Sequence, residues 1–124
     1  LDDWNRRRVV LAARYQAAFA GTTLELHGKQ PWARPVWHLF TVRHVNRDRI
    51  RMQLEEAGIG TLIHYPIPPH RQPAYARLGL GEGAFPITEK IHREIFSLPM
   101  GPHLTETAQD QVIDAVRAAL ATHG

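Results

Sequence analysis

Four prolines stand among the twelve residues 64–75, and this segment constrains the fold more than any other part of the sequence. Proline fixes φ and has no backbone N–H, so neither a helix nor a central strand can run through the segment. The prolines therefore end the element that precedes them, and an irregular stretch follows as far as Ala84. This stretch is longer than a routine connection, and loops of that length are usually functional or disordered.

Apolar periodicity and breaker residues predict seven elements. In chain order they are a helix capped by Asp2 or Asp3 that runs to about Ala20, a strand over residues 36–43, a helix from Asn46 to Gly58, a strand over residues 61–65, a helix beginning at Pro86, a short strand over residues 96–98, and a helix capped by Thr105 or Thr107. The order α-β-α-β-α-β-α predicts an α+β fold with a small sheet of three or four strands and helices packed on it. At 124 residues, the chain is expected to form a single domain over residues 1–124.

Apolar positions predict which faces are buried. Two stripes at helical spacing are expected to face the core, one formed by Trp4, Leu11, Tyr15 and Ala18 and the other by Ile87, Ile91 and Ile95. The strand over residues 36–43 is largely apolar on both faces, which predicts a strand in the interior of its sheet. His38, in the middle of that strand, is expected to be a hydrogen-bonded core residue.

Composition excludes several classes of protein. The absence of cysteine removes disulfide scaffolds and thiolate metal sites, and leaves the redox compartment open. No apolar run approaches the ~20 residues that cross a bilayer, so no membrane partner is expected. The net charge is only +3, so a nucleic acid is not expected as a partner either. The first residue is Leu1 rather than methionine, and we interpret the chain as a fragment or a processed piece.

The 64–75 segment is the strongest candidate for a binding site. It holds two imidazoles, two phenols and one guanidinium on a backbone that its prolines stiffen. Imidazole and phenol groups can bind sugar hydroxyls or phosphate oxygens, and Arg71 can bind a phosphate through two N–H groups. The alternative is an ordinary surface loop with Tyr65 and Tyr75 tucked into the core.

Other constellations are weaker. His64 and His70, even with His38, have no carboxylate or cysteine at a supporting spacing, so no metal is expected. Ser97 is the only serine and has no glycine elbow, so it is not expected to be a nucleophile. The glycines at positions 79, 81 and 83 lack the Lys and Ser/Thr that follow a phosphate loop, and they predict a turn.

Several short runs occur in register along nearly the whole chain. They are Leu1-Asp2-Asp3-Trp4-Asn5, Ala13-x-Tyr15, Trp37-His38-Leu39-Phe40, Ile63-His64-Tyr65-Pro66, Pro69-His70-x-Gln72-x-Ala74-Tyr75 and Leu98-Pro99-Met100. Together they resemble the C-terminal part of the DegT/StrS family of pyridoxal-phosphate-dependent nucleotide-sugar aminotransferases. The His-Tyr-Pro run, followed in register by His-x-Gln-x-Ala-Tyr, is the specific part of the resemblance.

The resemblance implies the small domain of a fold-type I aminotransferase, which moves an amino group onto a keto group of a nucleotide-linked hexose. It implies pyridoxal phosphate in the complete enzyme, a nucleotide-sugar substrate, an amino donor, a homodimer and a cytoplasmic location. The Schiff-base lysine belongs to the family's large N-terminal domain, and neither Lys29 nor Lys90 stands in a matching context. This chain alone is therefore expected to contribute no catalytic residue, to be inactive and to bind no cofactor.

The resemblance also implies which residues bind the substrate. His64 matches a histidine that reaches the mouth of the substrate cleft, and Tyr65 stands beside it. His70 and Gln72 match a loop near the same cleft. Pro69 stands where the family often has another apolar residue, which implies a stiffer loop here. An autonomous α+β interaction module that binds an anionic ligand remains the alternative, and a large α/β domain with an internal lysine encoded upstream would decide between them.

Overall fold

The computed structural model describes residues 1–28 and 30–123, which form an α+β fold as predicted. The elements are helix α1 Asp2–Phe19, strand β1 Phe40–Arg43, helix α2 Arg47–Glu56, helix α3 Pro86–Glu94, strand β2 Ile95–Leu98 and helix α4 Glu106–His123. Two short 3₁₀ helices, Pro69–Arg71 and Pro73–Leu78, lie between α2 and α3. Within the described residues, no helix combines the length and the apolar character that a membrane crossing requires.

Strands β1 and β2 pair antiparallel, with Phe40 opposite Leu98. On the other edge of β1, Arg43 forms a single bridge with Glu25, and each of the two residues donates its backbone N–H to the other's carbonyl. Strand β1 therefore has neighbours on both edges, which agrees with its predicted interior position. The predicted sheet of three or four strands consists of two strands with one bridge on each side.

The predicted strand over residues 61–65 is wrong, because only Leu62 pairs with β2, through one bridge to Ser97. Residues of an antiparallel strand face its two edges alternately, so Ile95 and Pro99 are the other residues on this edge. The backbone N–H of Ile95 is already bonded within α3, and Pro99 has no N–H. The edge thus offers one complete pairing position, which limits the partner to a single bridge.

The predicted strand over residues 36–43 begins only at Phe40. Continuing the register of the two strands would place Leu39 opposite Pro99, whose backbone groups face the Leu62 edge, so this pair would add no hydrogen bond to the ladder. Trp37 has a φ of +52°, outside the extended region. His38 consequently lies outside the strand and is exposed, so the prediction that it is a core residue is wrong.

The core lies between the sheet and helices α1, α2 and α4. Its largest fully buried side chains are Tyr15, Phe19, Phe40, Val42, Ile50, Leu54, Phe96, Gln109 and Val116. The Tyr15 hydroxyl donates to the Pro99 carbonyl at 2.9 Å, which ties α1 to the residue after β2. Burial raises the pKa of the Tyr15 phenol, so this group remains a protonated donor.

Polar contacts join α1 to α4 around this core. The Gln109 amide donates to the Leu11 carbonyl at 2.7 Å and accepts from Arg14 at 3.1 Å. Arg117 donates to the Ala18 carbonyl at 2.9 Å. A buried amide is tolerated here because both of its ends have partners. In the predicted stripe of α1, Leu11 and Tyr15 are buried, but Trp4 is 58% exposed, so the prediction is wrong for Trp4.

The helix boundaries are close to the predicted ones, but the capping side chains differ. Helix α1 begins at Asp2, so neither Asp2 nor Asp3 caps it, and both carboxylates face the positive end of the helix dipole from its first turn. Asn46 occupies the N-cap position of α2, yet its amide donates to the His123 carbonyl at 2.6 Å. The Thr105 hydroxyl accepts the Ala108 N–H at 3.1 Å, so Thr105 caps α4.

Helix α3 begins at Pro86 as predicted, but its apolar stripe is not its buried face. Ile87 is 76% exposed, whereas Glu89 and Glu94 are buried. Residues two positions apart in a helix are separated by about 200° around the helix axis. A helix that directs Glu89 inward therefore directs Ile87 outward. Polar contacts with the preceding chain therefore decide the orientation of α3.

Candidate functional site

His64 lies half-buried beside the sheet, two residues after the bridge between Leu62 and Ser97. Its Nδ1 is 2.8 Å from the Ser97 hydroxyl oxygen, and Ser97 is itself buried in β2. A pocket of about 150 Å³ opens at this place, and its walls include both residues together with Leu39 and Met100. The edge of β2 therefore fixes the position of His64 at the pocket.

The hydrogen bond with Ser97 leaves Nε2 of His64 available to a ligand. A neutral imidazole has one donor and one acceptor nitrogen, so Nε2 complements whichever role Nδ1 takes toward the hydroxyl. Either tautomer can bind a sugar hydroxyl through Nε2. This role of Ser97 is not predicted from the sequence, where the only signal is a hydroxyl within an otherwise apolar strand.

Tyr65 and Tyr75 are both exposed, at 67% and 47%. The ring of Tyr65 packs edge-on against the ring of His64, with centroids 5.6 Å apart and an interplanar angle of 89°. The phenol of Tyr65 is therefore presented to solvent next to the pocket. The alternative expectation, that these two tyrosines are tucked into the core, is wrong.

His70 faces the interior of its own segment. Its side chain is only 7% exposed, and Nε2 is 3.1 Å from Oε1 of Glu89, whose side chain is 4% exposed. The imidazole also packs edge-on against Phe85 at 4.9 Å. Gln72 donates its amide to the Ile67 carbonyl at 3.2 Å. Neither His70 nor Gln72 lines the pocket beside His64.

The Glu89 carboxylate accepts backbone N–H groups as well as His70. Gly83 donates to both oxygens at 3.0 Å, and Phe85 donates to Oε1 at 3.4 Å. These bonds, chiefly the one from Gly83, hold the pKa of Glu89 below its usual value although burial opposes the shift. Gly83 has a φ of +86° and lies in the turn predicted from the spaced glycines. The sequence analysis did not single out Glu89.

A larger pocket of about 530 Å³ lies between the start of α1 and the residues after β2. It shares Leu39 and Met100 with the pocket at His64. Its remaining walls include Trp4 and a set of nitrogen-bearing side chains, Arg7, Arg8, His38 and His103. Two guanidinium groups favour an anionic occupant, since each can donate two parallel N–H groups to a phosphate or carboxylate.

The described residues contain no group of three His, Asp or Glu side chains that could hold a metal ion. Lys90 Nζ is 2.6 Å from the Glu94 carboxylate on the same helix. Lys29, the other lysine considered above, lies outside the described residues.

Residues 1–117 match the model of the DegT/DnrJ/EryC1/StrS aminotransferase family. The chain belongs to this family. Within the family it is 51% identical, over 122 residues, to the erythromycin biosynthesis sensory transduction protein EryC1 of Saccharopolyspora erythraea, covering 95% of this chain and 32% of that protein. It is 49% identical, over 118 residues, to the dTDP-3-amino-3,4,6-trideoxy-alpha-D-glucose transaminase of Streptomyces venezuelae, covering 94% of this chain and 31% of that protein.

Two solved structures share the fold of this chain. The crystal structure of S. venezuelae DesV in complex with a ketimine intermediate superposes with a TM-score of 0.92 at 48% identity, over 96% of this chain and 32% of that one. The structure of NtdA from Bacillus subtilis with bound PMP gives a TM-score of 0.82 at 28% identity, over 95% of this chain and 28% of that one. The chain thus spans about a third of the length of the relatives it matches.

Proposed function

We propose that this chain is the C-terminal part of a pyridoxal-phosphate-dependent aminotransferase acting on a nucleotide-linked keto sugar, and that it contributes residues to the substrate cleft. The observation that carries the proposal is His64, held by Ser97 at a pocket, in a chain of the DegT/DnrJ/EryC1/StrS family. The S. venezuelae relative is a transaminase of a dTDP-linked amino sugar, and this similarity supports the substrate class.

The residues take different parts in this function. His64 binds a hydroxyl or a phosphate oxygen of the substrate through Nε2, and the exposed phenol of Tyr65 binds beside it. His70 and Gln72 act through the conformation of their segment, because their polar groups are already bonded to Glu89 and to the Ile67 carbonyl. Pyridoxal phosphate would supply the carbanion-stabilising chemistry in the complete enzyme.

The described residues do not fit a pyridoxal phosphate site. Lys90 is the only lysine among them, and its ammonium is paired with Glu94 on a helix surface. We therefore assign the cofactor and the Schiff-base lysine to the part of the family's length that this chain does not span. The amino donor, the homodimer and the cytoplasmic location belong to the same proposal. Membership over residues 1–117 favours the enzyme over an autonomous anion-binding module.

The test replaces His64 by alanine in the complete enzyme and measures the two half-reactions separately. Losing one hydrogen bond costs about 0.5–1.5 kcal/mol, so the reaction with the nucleotide-sugar should weaken roughly two- to tenfold. The half-reaction with the amino donor should remain nearly unchanged. His27→Ala is the matched control, because His27 is exposed and bonded to Thr41 away from the pocket. Equal damage to both half-reactions would assign His64 a structural role instead.

A further inference from the structure

We propose that Glu89 is the positioning residue for residues 66–85, the anchored segment, and that this anchor sets how well the cleft holds its nucleotide-sugar. The inference rests on the proposed function for its catalytic consequence. The claim that Glu89 holds residues 66–85 in place depends only on the contacts of Glu89.

The anchor joins the two ends of the anchored segment at one carboxylate. His70, near the start of the segment, contributes its imidazole at 3.1 Å. Gly83 and Phe85, at the end of the segment, contribute backbone N–H groups at 3.0 and 3.4 Å. Closing a loop costs conformational entropy. The hydrogen bonds from both ends of the segment to the Glu89 carboxylate offset part of that cost, and the offset falls when either end is released.

Burial makes the anchor selective for a carboxylate. The Glu89 side chain is 4% exposed and the His70 side chain is 7% exposed, so water has little access to either partner. A buried polar group left without its partner is costly, and the cost is larger when the group is charged. Among the side chains that fit here, only a carboxylate has two oxygens that accept from three donors, since an amide gives one of them up to a donor nitrogen.

The anchored segment begins two residues after His64, which lines the 150 Å³ pocket beside Ser97. His64 and Tyr65 precede Pro66, and the segment's own short helices, Pro69–Arg71 and Pro73–Leu78, hold no fully buried side chain. Pro68 is buried and His70 packs on Phe85, but most other side chains of residues 66–85 are exposed, so the position of the segment depends strongly on Glu89. Releasing it would move the backbone that continues from His64, and the substrate would lose a positioned wall rather than a catalytic group.

Glu89 also has a local role at the start of α3, and the test must separate the two. Its own backbone N–H donates to the Phe85 carbonyl at 2.9 Å, while Phe85 donates back to its carboxylate. A helix-capping role would be lost in Glu89→Gln or Glu89→Ala but kept in His70→Ala. A positioning role is weakened in all three variants, because His70→Ala cuts the tie to the start of the segment alone.

The experiment uses the complete enzyme as wild type, Glu89→Gln, His70→Ala and the control Glu82→Gln, whose carboxylate is exposed in the same segment. Arg71 and Arg77 are exposed within the segment, so limited trypsin digestion reports its opening independently of activity. We expect both anchor variants to be cut after these arginines at least about threefold faster than wild type and control. We also expect KM for the nucleotide-sugar to rise by a similar factor, with the amino-donor half-reaction unchanged.

Unchanged cleavage in both anchor variants would overturn the proposal whatever the kinetics. Faster cleavage with an unchanged KM would overturn its catalytic part, because the segment would then be anchored without serving the substrate. If Glu89→Gln does not fold, His70→Ala decides the outcome by the same two readouts. A wild-type enzyme that does not aminate a nucleotide-sugar would refute the proposed function, while the cleavage rates would still decide whether Glu89 anchors the segment.

Discussion

The hydroxyl of Ser97 lies 2.8 Å from Nδ1 of His64, across 33 positions of sequence. Ser97 is also the residue whose backbone N–H and carbonyl both pair with Leu62. One residue of β2 thus holds the chain before His64 through its backbone and the imidazole through its side chain. The orientation of the candidate substrate-binding group follows from the sheet.

Replacing Ser97 by alanine should free the imidazole of His64 to adopt other rotamers. In the complete enzyme, the loss of this hydrogen bond should cost about 0.5–1.5 kcal/mol, seen as a roughly two- to tenfold fall in kcat/KM for the nucleotide-sugar. Ser97→Thr keeps the hydroxyl, suits a strand and should recover most of the activity. Equal impairment in both variants would indicate that packing in β2, rather than the hydrogen bond, matters.

Replacing Tyr15 by phenylalanine should destabilise the fold. The change removes the donor to the Pro99 carbonyl and keeps the buried ring, so the free energy of unfolding should fall by about 1–3 kcal/mol. Urea denaturation of residues 1–124 measures this, and Tyr75→Phe, at an exposed position, is the control. An unchanged midpoint for Tyr15→Phe would show that the carbonyl finds another donor.

Pyridoxal phosphate should not label this chain specifically. Schiff-base formation needs an accessible neutral amine, and the Lys90 ammonium is paired with a carboxylate at 2.6 Å. Mixing the purified chain with pyridoxal phosphate, reducing with borohydride and mapping the product by mass spectrometry tests this. Stoichiometric labelling of Lys90 or Lys29 would contradict the prediction.

Stability should fall as the pH drops below about 6.5, the usual pKa of histidine. Burial holds the pKa of His44 below that value, although Glu94 and Glu25 act in the opposite direction. Its Nδ1 accepts the Asn46 N–H at 3.0 Å, which a protonated ring could not do. The folded state therefore binds the proton less readily than the unfolded chain, so the stability present above pH 6.5 is lost on acidification.

Denaturation of residues 1–124 between pH 5 and pH 8 measures this dependence in wild type and two variants. His44→Gln should flatten the fall, and His103→Gln, at an exposed position, should not. Some dependence should survive in His44→Gln, because partial desolvation of the ring and the charge of Arg43 also lower the pKa of His27. An identical slope in all three proteins would remove His44 from the explanation.

The isolated chain should self-associate through the start of α1. Leu11 and Tyr15 of the predicted stripe are covered within the chain, but Trp4 and Val10 are 58% and 57% exposed. An apolar patch of this kind favours association in a soluble protein. Sedimentation at several concentrations should show a dimer that Trp4→Gln weakens. Trp32→Gln is the control at an exposed position outside the helix, and a monomer at every concentration would refute the prediction.

The helices were predictable because the signal for a helix is local. Ile50 and Leu54 recur at the spacing of one helical face, and both are fully buried as their pattern indicates. The strands were less predictable because their length depends on a partner distant in sequence. On the edge of β2 that faces Leu62, Pro99 has no N–H and the N–H of Ile95 is already bonded, so the chain around Leu62 has only one pairing position.

One part of the candidate site could be predicted from the sequence and another part could not. The resemblance to the family singles out His64, and the structure puts it at a pocket. The burial of Glu89 could not be predicted from the spacing of apolar residues. It depends on backbone N–H groups that the turn at Gly83 brings to the carboxylate. The burial of His70 could not be predicted either, because nothing in its polar, proline-rich sequence indicates that its side chain is buried against Glu89.

The contacts between α1 and α4 have a consequence for folding. Arg14 and Arg117 each reach across more than 90 positions, so α1 gains these polar partners only after α4 has been synthesised. Contacts between distant residues slow folding, because the intervening chain must be ordered before they form. During synthesis the part of the apolar face of α1 that packs on α4 should therefore stay uncovered, a state open to aggregation and to chaperones, until α4 emerges.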